Sequence, residues 1–504
     1  MSLTRTENVI YNTLYGMMSA LLMIFLNFAV RYYLVKSLGD EYYGLHSFYQ
    51  SITNLFTMLE MGISSAVIIH LYEPVKNNSY ETIKQIMSFY RIIYRKIALI
   101  FSLVTLIFGF TLLPLIVHTG IDTFKVVGFY LLFSASFTVD FMTYHRRSIL
   151  FADQKNRISS FCTMIAETLC RGTQIICLIV YPSYLLFLIL FIVEKLFSNT
   201  LCNRYVKRHY PFLINYARLE INKSFKENII NTIKPLFVFQ IATTVQGAIP
   251  SILISLLLGN ISVVGYYANY QLVSSTMILL YSQIGGAFTT SFGNLAVEKN
   301  LISMEHAYLK TSFVTNSLAI VLFSGYICCI QDFIQLVFGE HFLLPIPSVI
   351  VIALLMYVSL YNVPMVSIQN AMGLHRLDVR FIIIQTVLSA IFGCVGCALW
   401  NMEGLFIGLL FPMVIFAVIT KGVILSKYVF NWTFKRFVNN IGFDFVKLII
   451  VGVICYHVAC YINTSVIMVN FFLKGVISVV LSVAVICGLS YRNSLFREFL
   501  YRYK

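Results

Sequence analysis

Apolar runs long enough to cross a bilayer follow one another along the whole chain. A spanning helix needs about 20 mostly apolar residues. Fourteen stretches meet that length, near residues 9–34, 43–72, 97–117, 126–145, 158–181, 184–203, 235–258, 262–291, 312–331, 347–369, 380–399, 404–426, 447–464 and 466–490. Little is left over to make a water-facing surface. Charged residues are 11% of 504, against about 25% in a soluble domain. In lipid the backbone must satisfy its own hydrogen bonds, which leaves helices for a chain of this pattern. The expected class is an all-α polytopic membrane protein with 14 transmembrane helices. The polar start, Met1 to Asn8, runs into a span too long for a signal-peptide core, so the first span is expected to stay as an uncleaved anchor.

The loops set the orientation. Odd-numbered turns are short, among them KSLGDEYY, HTGIDTFK, YPS, LGNIS and WNME. Even-numbered loops are longer and basic, as in HRRSILFADQKNR and the long segment from Asn203 to Lys234. Most of the 36 Lys and Arg residues fall on the even side with the two termini. Positive loops stay inside, so both termini are expected in the cytoplasm. The net charge of +15 then reads as this bias, and no nucleic-acid partner is expected. The eleven cysteines are scattered through apolar segments and imply no disulfide framework. Cys394 and Cys397 form a CxxC inside a span, where small-residue packing is the expected role. The stretch ETIKQIMSFYRIIYRK (81–96) has an apolar helical face of Ile83, Ile86, Met87, Tyr90 and Tyr94, opposite Lys84, Arg91 and Arg95. It fits either a helix lying on anionic headgroups or the cytoplasmic end of the third span.

The chain carries an internal echo. LGDEYYGLHSFYQ (38–50) resembles LGNISVVGYYANYQ (258–271), with Gly44 and Gly265 in matching places. At about the same offset, ILFADQKNR after span four matches IQNAMGLHRLD after span ten. Two echoes at one offset point to a duplicated six-span unit. Six is even, so the copies share orientation and are expected to be two six-helix lobes related by a pseudo-two-fold along the membrane normal. The expected domains are an N-lobe at 1–234, a C-lobe at 235–430, and a C-terminal helix pair with a basic tail at 431–504. A central cleft between lobes is the geometry of an alternating-access transporter.

Charges inside spans mark the candidate site, since ionisable groups in lipid are costly and usually functional. They are Arg31, Glu60, Glu167, Arg171, Glu194, Lys195, Lys421 and Lys474. Glu60 lies near the centre of its span and cannot reach the interface; it needs a cation such as Arg31 or Arg171, or a proton. Glu167 and Arg171 are one turn apart, share a helix face and can pair. Glu194 and Lys195 are adjacent and are not expected to face each other. Gln50, Asn54, Gln240, Gln246, Asn269 and Gln271 could hydrogen-bond sugar or diphosphate in a wet cleft, or hold helices together. Pro114, Pro250, Pro364 and Pro412 are expected to bend their helices. Buried cations suit an anionic substrate, and abundant tyrosines suit a sugar or a lipid.

Several segments resemble bacterial polysaccharide flippases of the multidrug/oligosaccharidyl-lipid/polysaccharide exporter superfamily. They are YYGLHSFYQSITNLFTMLEMGISSAVIIHLYEPV, LFADQKNR (150–157), GYYANYQLV (265–273), SFGNLAVEKN (291–300) and NAMGLHRLD (370–378). The resemblance reaches from about residue 8 to 430. It implies translocation of undecaprenyl-diphosphate-linked oligosaccharide across the bacterial cytoplasmic (inner) membrane, for O-antigen, capsule or similar polymers. It also implies membrane lipids and other surface-polysaccharide assembly proteins as partners. Arg31 and Glu60 match positions the family tends to keep polar. Arg171, Lys195, Lys421 and Lys474 match no motif. The substrate-binding candidates are therefore Arg31, Glu60, Arg171, Lys195, Lys421, Gln50, Asn54, Gln246, Asn269 and Gln271. No cofactor or metal is expected. Glu60 either couples transport to a proton or sodium gradient or only orients Arg31 or Arg171. The rival readings are a cation-coupled drug exporter of the same fold and a membrane polymerase or acyltransferase. The latter lacks HExxH, GxSxG and Walker motifs and a sizeable outer loop.

Overall fold

The computed structural model describes residues 5–153, 155–213, 223–297, 301–372, 374–491 and 496–498. Among these residues every regular element is a helix. The first unit of the chain carries α1 (Arg5–Leu38), α2 (Asp40–Lys76), α3 (Tyr80–Thr111), a short α4 (Leu113–Ile116), α5 (Thr123–Tyr144), a short α6 (Ser148–Ala152), α7 (Asn156–Val180), α8 (Tyr184–His209) and α9 (Lys223–Leu258). Then follow α10 (Ile261–Val297), α11 (Leu301–Phe338), α12 (Ile346–Tyr361), α13 (Val363–Met372), α14 (His375–Met413), α15 (Lys421–Leu425), α16 (Phe434–Cys460) and α17 (Ile467–Ser490).

These elements supply the fourteen expected passes once α12 and α13 count as one and α14 with its extension counts as two. Among the described residues, ten segments are long and apolar enough to cross a membrane. One of them, Leu377–Phe430, holds 54 residues, enough for two crossings. The chain reverses inside it, at Trp400 (φ −137°, ψ 31°) and Asn401 (φ 50°, ψ −131°). Asn is the non-glycine residue that best tolerates positive φ. The two arms then touch through glycine. A Cβ on Gly396 would sit 2.0 Å from the Gly404 carbonyl oxygen, and one on Gly408 2.1 Å from that of Phe392. Only small residues let helix backbones approach so closely.

Prolines punctuate the helices as their missing N–H requires. Pro114 opens α4 after α3 has ended, and Pro364 follows the break at Asn362 between α12 and α13. Pro412 stands just before a widened π-helical stretch at Val414–Thr420; a second runs over Ser426–Phe430. Pro250 and Pro74 lie within α9 and α2.

The stretch 81–96 is the lower end of a spanning helix and not a separate surface helix. α3 runs unbroken for 32 residues. Its expected apolar face, Ile83, Ile86, Met87, Tyr90 and Tyr94, is buried. That face packs with Val67 and Leu71 of α2, Phe141 of α5, and Cys202 and Val206 of α8. Amphipathic spacing alone does not tell a bilayer surface from a neighbouring protein surface.

Contacts divide the chain into two compact units, Met1–Gly265 and Tyr266–Lys504. This division sets α9 with the first unit, one helix beyond the lobe boundary expected at 234/235. Within the first unit α9 lies along α2, with the Ser51 hydroxyl donating to that of Ser251 (3.0 Å). Nearby, a Cβ on Gly44 would meet the Ile261 carbonyl oxygen at 2.3 Å, and one on Gly265 would meet the Gly44 backbone at 3.2 Å. The two glycines of the sequence echo are thus in contact. Glu41, at the start of α2, accepts from the Gly120 N–H (2.6 Å) and the Thr119 hydroxyl, tying the turn between α1 and α2 to the turn before α5.

Candidate functional site

Four of the intramembrane charges of the first unit, Glu167, Arg171, Glu194 and Lys195, gather where α5, α7 and α8 meet. Helical spacing prepares this on each helix. Glu167, Arg171 and Gln174 recur at four and three residues along α7. On α8 Glu194 and Ser198 share one face, and Lys195 and Asn199 the next. Side-by-side packing of the helices closes these rows into a seam.

Glu194 is at its centre and is 1% exposed. Its carboxylate faces Arg171 Nη2 at 3.4 Å and Lys195 Nζ at 3.2 Å. Arg171 also donates to the Gln174 side-chain oxygen (3.0 Å), and its guanidinium lies over the Phe191 ring at 4.4 Å. Gln174, fully buried, passes the chain on by donating to the Phe187 carbonyl (3.0 Å). On the other side Asn199 donates to Asp140 and to the Thr143 hydroxyl, both at 2.7 Å. Further along, Arg147 is 6% exposed. It donates to Ser198 (2.6 Å) and Thr163 (2.8 Å) and lies over the Tyr144 ring at 5.0 Å.

Three cations, Arg147, Arg171 and Lys195, therefore share this region with three carboxylates, Asp140, Glu167 and Glu194. A buried charge is tolerated when it is paired and hydrogen-bonded. The seam is close to neutral and is not a surplus of positive charge. Arg171 and Lys195 keep some access, with 13% and 24% of their side chains exposed.

One open pairing is decided here and one expectation corrected. Arg171 forms its salt bridge with Glu194 on α8 and not with Glu167 one turn away. Spacing along one helix says which residues share a face, and the neighbouring helix offered a nearer acid. Glu194 and Lys195, though adjacent in sequence, do meet, because the long lysine stem bends back to the carboxylate. Sequence reasoning passed over Asn199, Thr143, Arg147 and Thr163. The repeat of Glu194-Lys195 by Ser198-Asn199 one turn later was the available signal.

The other candidates are dispersed. Arg31 donates to the Tyr43 hydroxyl (2.9 Å) and lies 5.7 Å from that ring. Glu60 falls within α2, and its side chain lies outside the described residues. Gln50 and Asn54, one turn apart on α2, are both exposed; Gln246 and Gln271 are half-buried, and Asn269 is fully buried.

In the second unit the Asn362 amide, turned so that its oxygen meets a donor and its nitrogen an acceptor, accepts from Lys421 Nζ (3.0 Å) and donates to the Ala417 carbonyl (2.9 Å). Lys474 bridges Asp332 at 2.7 Å. Asp332 lies within α11 and faces α17. Cys394 is exposed and Cys397 buried on α14.

No family model matches this sequence, and no curated protein does. Solved structures do resemble it. A multidrug resistance MATE family transporter of the MOP superfamily, in an inward-facing conformation, superposes with a TM-score of 0.66 at 14% identity, covering 85% of this chain and 98% of its own. The lipid II flippase MurJ, in an inward closed conformation, gives 0.65 at 14% identity, covering 96% of this chain and 99% of its own. A MOP superfamily transporter from Pyrococcus furiosus, described as having a binding pocket of reversed polarity, gives 0.55 at 13% identity over 86% and 95%. At such identities the likeness is one of architecture, and the chain has the fold of the MATE and MurJ transporters.

Proposed function

We propose that the protein is a flippase that moves undecaprenyl-diphosphate-linked oligosaccharide across the cytoplasmic membrane by alternating access, for surface polysaccharide synthesis. The observation that carries the reading is the length of the MurJ likeness. Coverage of 96% is too large to leave out both α16 and α17, whereas 85% for the MATE structure leaves a remainder long enough to hold that pair. On this reading Arg31, Arg171, Lys195 and Lys421 bind the diphosphate. Gln50, Asn54, Gln246 and Gln271 meet the sugars; Asn269 joins them only after a change of conformation. An incoming diphosphate competes with Glu194 for Arg171 and Lys195. Glu60 is the coupling residue to a proton or sodium gradient. Both termini face the cytoplasm, where other polysaccharide-assembly proteins dock.

Alternating access requires the outer ends of α2 and α9 to part, and they are packed together at Ser51 and Ser251. Purified protein in vesicles carrying a fluorescent lipid-diphosphate-oligosaccharide should expose the label to an impermeant quencher. The double substitution S51C/S251C, once oxidised to a disulfide, should stop this, and reduction should restore it. Absence of protein-dependent exposure for lipid-linked glycans from the host would end the proposal. E60Q tests coupling: gradient dependence that survives the substitution unchanged removes Glu60 from that role.

The MATE likeness, equal in quality at a TM-score of 0.66, favours a second reading as a cation-coupled exporter of organic cations. Efflux of a cationic dye from the same vesicles, with no movement of the lipid-linked glycan, would select it.

A further inference from the structure

A polar pocket lies wholly within the second unit. It is a cavity of about 110 Å³ between α11, the α12–α13 junction and the start of α16. The helix ends that form it are those the basic loops assign to the cytoplasm. A space of that size holds several waters, which a ring entering from the exposed rim would displace.

Its floor is an acid–base pair. Lys447 Nζ lies 3.7 Å from Asp444, and the lysine side chain is only 5% exposed. The Lys447 ammonium rests over Phe443 at 4.4 Å and Phe313 at 5.3 Å. Asp444 accepts from the Tyr361 hydroxyl (3.2 Å) and from the Asn316 amide. Asn316 is itself held by the Tyr357 hydroxyl (2.7 Å). The carboxylate is thus aimed from behind. The rim carries rings and amides: Trp432 is half-buried, Phe443 is 50% exposed, and Asn440 is exposed. Trp432 is stiffened by stacking on Phe430 (4.6 Å, 23°) and by Arg436 over its ring at 4.8 Å.

The pair at the floor decides the ligand's charge. An anion would meet Asp444, and a cation would find its place on Phe443 already taken by Lys447. A neutral ligand with neighbouring hydroxyls satisfies both, donating to the carboxylate and accepting from the ammonium. An aromatic rim adds a surface for an apolar ring face. We infer that this pocket binds a single neutral sugar ring at the cytoplasmic foot of the C-terminal helix pair. If the flippase reading holds, the ring belongs to the glycan of a lipid-linked unit waiting to enter; that role rests on the reading, whereas sugar binding does not.

The chain has two tryptophans, Trp400 and Trp432. W400F therefore leaves Trp432 as a single reporter inside the pocket. The full-length W400F protein, in a detergent without a sugar headgroup, is titrated with an N-acetylhexosamine, a hexose and a 6-deoxyhexose. At least one should shift or quench Trp432 emission saturably. D444N should weaken that response at least tenfold. N440A, on the exposed rim, should weaken it less and cannot disturb the core, so the test stands even if D444N misfolds. No saturable response to any of the three sugars, or equal responses in N440A and D444N protein to those of the parent, would overturn the inference. So would an equal response to an acyclic polyol. A protein that binds sugar here and moves no lipid-linked glycan keeps this inference and loses the flippase reading; the reverse result does the opposite.

Discussion

In the first unit a set of intramembrane charges interlocks where α5, α7 and α8 meet; in the second the charges stand as separate pairs. Glu194 touches two cations at once and sits in a seam that continues through Asn199, Asp140, Ser198 and Arg147. Lys474–Asp332, Lys447–Asp444 and Lys421–Asn362 are three separate contacts, each between one lysine and one polar partner. The difference teaches where disturbance travels. Removing one member of an interlocked set leaves several others short of a partner, while removing one member of a separate pair leaves a single survivor, which a long lysine stem can carry toward water.

That contrast can be broken by substitution. The largest effect is expected from Glu194→Ala, which leaves Arg171 and Lys195 without their counter-charge. Breaking a buried pair costs about 3–5 kcal/mol, and thermal unfolding in detergent should show it together with loss of translocation. Arg171→Leu comes next: Glu194 keeps Lys195, so the loss should be smaller, while the double variant with Glu194→Leu should recover part of it. A double-mutant cycle that finds no coupling between these two would remove the seam from the account. Asp332→Ala should cost about 1 kcal/mol, typical of one polar contact between membrane helices. Its coupling to Lys474 should stay confined to α11 and α17, read by cysteine accessibility along both.

The smallest effect concerns pH. The Lys310 hydrogen bond, helped by His306, holds the exposed Glu498 carboxyl below its usual range. A depressed carboxyl contributes above the ordinary carboxylate pKa and loses its contribution as pH falls through the lowered value. Limited proteolysis near 496–498 should therefore quicken only in strongly acidic buffer, and Glu498→Gln should show the quick rate at neutral pH.

Span number and order were legible because lipid demands a length and an apolarity that few other settings impose. The reversal inside Leu377–Phe430 was legible too, as Trp-Asn-Met-Glu divides two runs of sufficient length. The members of the charged seam were legible in part. Arg171, Glu194 and Lys195 were singled out by cost alone, yet their pairing was not, because a partner on another helix leaves no mark in sequence spacing. The Ser51–Ser251 contact and the Asp444 pocket depend on helices far apart in sequence, and no local pattern announces them.

The widened turns around Lys421 bear on how the chain tolerates change in length. In an ordinary helix, deleting one residue rotates everything beyond it by about 100° and turns a lipid-facing side chain toward protein. A π turn already holds one residue more than an α turn, so a deletion within Val414–Thr420 tightens the coil and leaves the register downstream unchanged. Codon-by-codon deletion through the spans should find this short tract the most forgiving, which makes it the natural place for related chains to differ by a single residue.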